Sequence, residues 1–247
     1  MFKKLLASVG IGSAKVDTVL NTEHLLPGQV FNAEIIVIGG DVAQEISGLE
    51  LALMTKVKVE HDDGYSFQNH VLQSWKLTEK FTITPNEIKK IPFSAQLHPE
   101  TPITEIHTRQ NHSLVWLATG LKIDMAIDPS DSDAIFVYPN DVIKACMNTM
   151  EAMGYNLVKA DAEKGYISCH GFSSQSGCYQ EMEYKPSGFD FLGIKEVELS
   201  FIPEANQTHV LIELDRAFRN DGYISFSFYH DEANIASINQ KLTELLQ

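Results

Sequence analysis

The strongest constraint on this chain is the run Leu49–Glu60, LELALMTKVKVE. Leu49, Leu51, Leu53, Thr55, Val57 and Val59 fall on one face of an extended chain, and Glu50, Ala52, Met54, Lys56, Lys58 and Glu60 on the other. A period of two sustained over twelve residues requires a long strand with one face in a core and one in water. Just ahead, Phe31, Ala33, Ile35 and Val37 alternate with Asn32 and Glu34, until Gly39, Gly40 and Asp41 break the pattern. Two long amphipathic strands side by side need a second sheet over their apolar faces.

The neighbouring segments supply one. Ala14–Asn21 alternates, and Pro27-Gly28 makes a turn. Asp63-Gly64 is a hairpin signal. Tyr65–Thr84 reads as a long strand or bent pair, with Val71, Trp75, Leu77, Phe81 and Ile83 on one face. Ile91–Leu97 is another strand, and Pro92 within it marks an edge or a bulge, because proline cannot donate to a ladder. Val115–Ile127 alternates throughout. Regular strands with no helix before residue 139 predict a β-sandwich over 14–127, within a first domain of 1–128. Asp128-Pro-Ser-Asp-Ser-Asp133 reads as a linker. Beyond it, 134–247 is expected to form a smaller β-rich domain with helices near 140–153 and 232–246. Strands are expected at 155–160, 166–170, 178–184, 195–202, 209–215 and 223–229. The fold class is therefore mainly β.

Charge narrows the partners. The 247 residues carry a formal net charge of −14. That argues against nucleic acid, whose phosphates require clustered Lys and Arg. Three cysteines, Cys146, Cys169 and Cys178, suit a reducing compartment. At the N-terminus Phe2, Leu5, Leu6 and Val9 share a helical face beside Lys3 and Lys4. The apolar run is too short and glycine-broken for a signal peptide. It is read as retained, a helix docked over the core with at most weak membrane association. The protein is expected to be cytoplasmic.

Four stretches bear a family pattern: GIGSAKVDTVL (10–20), PGQVFNAEIIVIGGDVAQEISGLELALMT (27–55), IKKIPFSAQLHPETPIT (88–104) and VWLATGLKIDMAIDPSDSDAI (115–135). Together they resemble the bacterial sporulation-control family of the stage-zero M type. That family is similar in fold to arrestins, whose first domain is a β-sandwich. The resemblance implies a non-catalytic regulatory or scaffolding role in the cytoplasm, and it carries no catalytic residues.

No motif in the sequence points to chemistry. Cys169, His170 and Cys178 lack paired zinc spacing, and Asp128, Asp131 and Asp133 lack the glycine and closing glutamate of a calcium loop. Glu181 with Glu183, and Glu196 with Glu198, share strand faces, as expected of the wet side of a sheet. No G-x-S-x-G elbow is present. No catalytic, cofactor or metal residues are assigned. The expected function is protein–protein regulation, with a β-sandwich hydrolase or carbohydrate-binding module, or a membrane-surface adaptor, as alternatives. Candidate contact residues are Val19, Phe93, Ser94 and Leu97 on presumed edge strands, Trp116 on an outer face, and Phe2, Leu5 and Leu6 in the N-terminal helix. Strand addition by a partner protein or a second copy is the expected mode.

Overall fold

A computed structural model describes residues 12–22, 24–124, 128–169, 171–188, 193–216 and 222–246. The N-terminal half contains β1 (Lys15–Leu20), β2 (Val30–Ile38), β3 (Gln44–His61), β4 (Gly64–Leu77), β5 (Phe81–Ile83), β6 (Ile88–Gln96), β7 (Gln110–Asn111), β8 (Val115–Ile123) and β9 (Ser130–Ala134). The C-terminal half contains α1 (Asp141–Ala152), β10 (Tyr155–Lys164), β11 (Ser168–Cys169), β12 (Phe172–Ser173), β13 (Cys178–Pro186), β14 (Ile194–Pro203), β15 (Gln207–Arg216), β16 (Gly222–Tyr229) and α2 (Glu232–Leu246). The fold is mainly β. No described helix is long and apolar enough to cross a membrane.

The two organising strands do not lie side by side. β2 is the centre of a three-stranded sheet, β1-β2-β6, and β3 belongs to an eleven-stranded sheet. The two face each other, so each covers the other's apolar face. Gly39 and Gly40 make the crossing: a Cβ on Gly39 would collide with the Thr84 carbonyl oxygen, and one on Gly40 with that of Gly12. Only glycine allows backbones to approach this closely. Inside, Phe31 meets Trp75 and Phe93 edge to face at 6.0 Å each. Thr18 and Thr119 hydroxyls bond across the sheets at 2.8 Å.

β3 pairs with β4 and β5 along one side and with β8 along the other, all antiparallel. A bulge opposite Leu53 and Met54 shifts the β4 register. Leu72 therefore turns into the core and Val71 is left half exposed, at 50%. This reverses the expected facing of Val71, because strict alternation fails wherever an extra residue enters a ladder. The segment read as a linker holds a strand: β9 pairs with β8 from Gly120↔Ser130 to Trp116↔Ala134.

At its far end β3 meets β10 in a parallel contact, Lys58↔Glu163, which joins the N-terminal strands to the antiparallel run β10-β13-β14-β15-β16. α1 and α2 lie on one face of that run. Lys241 of α2 stands 4.9 Å from the Phe228 ring, and Cys146, Met150, Leu242 and Leu246 join the buried cluster that also holds Leu51 and Leu117. The expected strand over 166–170 is instead a short hairpin, β11–β12.

Candidate interaction surface

β1 and β6 are the outer strands of the three-stranded sheet, as the proline in β6 indicated. The Leu97 N–H donates to the Gln29 carbonyl at 2.9 Å. Alternation then turns the nitrogens of residues 95, 93 and 91 toward β2, and those of 96, 94, 92 and 90 toward the free edge. Pro92 thus sits where its missing donor costs no rung of the β2–β6 ladder. Phe93 and Leu97 are buried, so these expected contact residues serve the core. Ser94 is exposed and donates only a long hydrogen bond, 3.4 Å, to the Phe31 carbonyl.

β1 is less open. Its Asn21 N–H donates to Asn32 of β2, so by alternation the Val19 nitrogen also faces β2 while that of Thr18 faces outward. The Thr18 N–H is taken by the Asp131 carboxylate at 3.2 Å. Asp131 and Asp133 of β9 pair with Thr119 and Leu117, whose side chains are buried, and so point inward at the sheet's margin. Inward-pointing charge on an outer strand discourages edge-to-edge pairing. Asp17, Asp131 and Asp133 bring carboxylate oxygens within 4.8 Å of one another. Burial, then the hydrogen bond and charge of Asp131 and the charge of Asp17, push the Asp133 carboxyl up to about 7. Such a triad can hold a proton or a cation. Asp128, grouped with these residues in the sequence, instead ion-pairs with Lys122 at 3.1 Å.

The solvent face of this sheet carries Val19, Val30, Ile38 and Ile88, exposed at 45%, 58%, 38% and 62%. Ile38 and Ile88 are directly paired. Sequence reading named only Val19 of these, because a single alternating strand does not reveal which outward apolar residues line up across a sheet. Trp116 is half-buried between Met54 of β3 and Ala134 of β9. Phe2, Leu5 and Leu6 lie outside the described residues.

The three cysteines are free thiols. Burial pushes Cys146 up to about 12 and Cys178 up to about 11, which suits packing rather than nucleophilic chemistry. The paired glutamates do share a sheet face. Lys185 of β13 reaches Glu183 at 2.7 Å and Glu196 at 3.0 Å.

A family model described as SpoOM protein matches residues 2–218. The sporulation-control protein spo0M of Bacillus subtilis (strain 168) is 33% identical over 246 residues, covering 99% of this chain and 92% of that protein. The crystal structure of Spo0M, sporulation control protein, from Bacillus subtilis superposes with a TM-score of 0.82 at 28% identity, over 96% of this chain and 98% of that one. On the match of the family model and the near-complete alignment with that relative, the chain belongs to the SpoOM protein family.

Proposed function

We propose that this protein is a non-catalytic cytoplasmic regulator that works by binding other proteins, with the β6 edge and the solvent face of its three-stranded sheet as the contact surface. The observation that carries this reading is the exposed set Val19, Val30, Ile38 and Ile88 beside a strand whose outward side pairs with no strand among the described residues. An exposed apolar pair such as Ile38–Ile88 and an open edge are both features of protein contact sites. Membership of a family that includes a sporulation-control protein supports regulation over metabolism. The same edge would serve a second copy of the chain.

Ser94→Pro tests it. The Ser94 nitrogen faces the free edge, so proline removes a donor from the docking side and leaves the β2–β6 rungs intact. Val19→Pro is a poorer probe, because its N–H belongs to the β1–β2 ladder. Ser94→Pro is expected to keep the wild-type melting temperature while losing partners in a lysate pull-down read by mass spectrometry, or losing self-association by light scattering. Identical partners and identical mass with the variant would reject the β6 edge. Generic esterase, phosphatase and glycosidase substrates are expected to give no turnover. Activity that survives repurification and vanishes on replacing one carboxylate would overturn the regulatory reading.

A further inference from the structure

The sheet face of β13–β16 turned away from the helices is rich in carboxylates, and part of it is roofed. The β11–β12 hairpin arches over it. Phe172 stacks on His209 of β15 at 4.3 Å between ring centroids, and the Ile167 N–H donates to the Ser174 hydroxyl at 2.9 Å. Beneath the roof is a cleft of about 300 Å³, lined by Tyr166, Tyr179 and Tyr223 and by Glu181, Glu198 and Glu213. That volume is at the small end of natural ligand sites.

Elsewhere on this face each carboxylate has its cation. Lys58 pairs with Glu163 at 2.9 Å, Lys159 with Asp161 at 2.6 Å, and Lys185 with Glu183 and Glu196. Among the described residues Glu181, Glu198 and Glu213 have no ion pair. Desolvation by burial, then neighbouring carboxylates, push Glu181 up to about 7 and Glu198 up to about 8. A second, independent feature marks the same spot. Ser200, directly opposite Glu181 in the ladder and 4% exposed, lines the cleft, and its hydroxyl has no hydrogen-bond partner among the described residues. With no protein group satisfying it, that hydroxyl is open to a ligand that enters the cleft.

We propose that this cleft binds a linear organic polyamine, with Glu181, Glu198 and Glu213 as counter-ions, the Ser200 hydroxyl accepting an ammonium N–H, and the tyrosine rings flanking the chain. A bare divalent ion fits less well. The described carboxylate groups that converge within 4.8 Å are Asp17 with Asp131 and Asp133, and Glu183 with Glu196 and Glu198, the latter already holding Lys185. The cleft glutamates instead come from three adjacent strands: Glu198 and Glu213 are directly paired, about 5 Å apart, and Glu181 lies diagonal to Glu198, about 7–8 Å away, so their charges are spread out as the ammonium groups of a polyamine are. Tyrosine faces attract organic cations.

Isothermal titration of the full chain with spermidine at fixed ionic strength tests this. One saturable site is expected, with MgCl2 at equal ionic strength failing to displace the amine. Glu198→Gln and Glu213→Gln are each expected to weaken binding about tenfold, the scale of one charge-assisted hydrogen bond, and Ser200→Ala about threefold. Glu45→Gln, on the exposed side of β3, should bind as the wild type. In parallel, amide shifts of the wild type on titration should cluster at 166–169, 198–200 and 211–213, a readout that needs no variant to fold. Absence of a saturable site, equal displacement by magnesium, unchanged affinity in the cleft variants, or shifts spread over the whole acidic surface would each overturn the proposal.

Discussion

At the scale of single residues, what governs this molecule is which carboxylates are left without a cation. Asp133 is the sharpest case. Its folded-state value, about 7, lies above that of an unfolded aspartate, so between roughly pH 4 and 7 the folded state holds the extra proton. Folding stability from this group is therefore full on the acid side of that window and is lost as pH rises through about 7. Asp133→Asn is expected to raise the melting temperature at pH 8 and to raise it much less at pH 5. Calorimetric melts at the two values check it, and an equal shift at both would mean that the Asp17–Asp131–Asp133 cluster does not set the pH response. Sequence reading placed Asp131 and Asp133 in a solvated linker and had no means to add Asp17, over a hundred positions away and brought alongside by the second sheet. The cleft glutamates were likewise visible as strand-face pairs. Their partner across β15, Glu213, emerges only from the ladder register Glu198↔Glu213.

At the scale of elements, legibility followed periodicity. The helices were read within a residue or two because each has a start signal and an apolar stripe. Asn140 caps α1, its side-chain oxygen accepting the Ile143 N–H at 2.9 Å, while its amide nitrogen donates to the Thr208 hydroxyl at 3.0 Å. One side chain thus fixes the helix start and ties it to β15. Asn140→Ala loses a cap and a part-buried hydrogen bond and is expected to cost about 2 kcal/mol. Asn140→Asp keeps the cap acceptor and should recover about half of that. Denaturant unfolding measures both; equal losses would assign the whole effect to the Thr208 bond. The strands were legible individually, but their sheet membership was not. Alternation tells a strand which face is apolar and is silent on which strand it pairs with, so β2 and β3 read as neighbours when they belong to opposing layers. β9 was missed for a related reason: its inward positions are aspartates, and a strand whose buried-side residues are charged has the composition of a loop.

At the scale of the whole molecule, the question is how two units, proposed to meet around residues 128–134, are held together. The described residues place one parallel contact between β3 and β10, and at it the Lys58 ammonium lies 2.9 Å from Glu163, with side chains only 12% and 10% exposed. Burial acts to lower the Lys58 value, but hydrogen bonds to Glu163 and Glu60 and their charges outweigh it and hold the lysine above its ordinary range. A parallel contact between segments a hundred residues apart has no signature in either segment, which explains why sequence reading gave Lys58 to the solvent face. Removing one member of a buried pair strands the other charge, whereas replacing both with apolar groups removes the cost along with the attraction. Lys58→Met is therefore expected to destabilise the protein by roughly 3 kcal/mol, and Lys58→Met with Glu163→Met to lie much closer to wild type. If Glu163 anchors the joint, Lys58→Met should also separate the unfolding of the two units, giving one transition in the tryptophan signal of Trp75 and Trp116 and a later or earlier one in amide exchange of β13–β15. Denaturant melts followed by both probes decide the matter. A single variant no worse than the double, with both probes still coincident, would mean that the two halves are welded by their shared apolar core and that the ion pair is incidental to the joint.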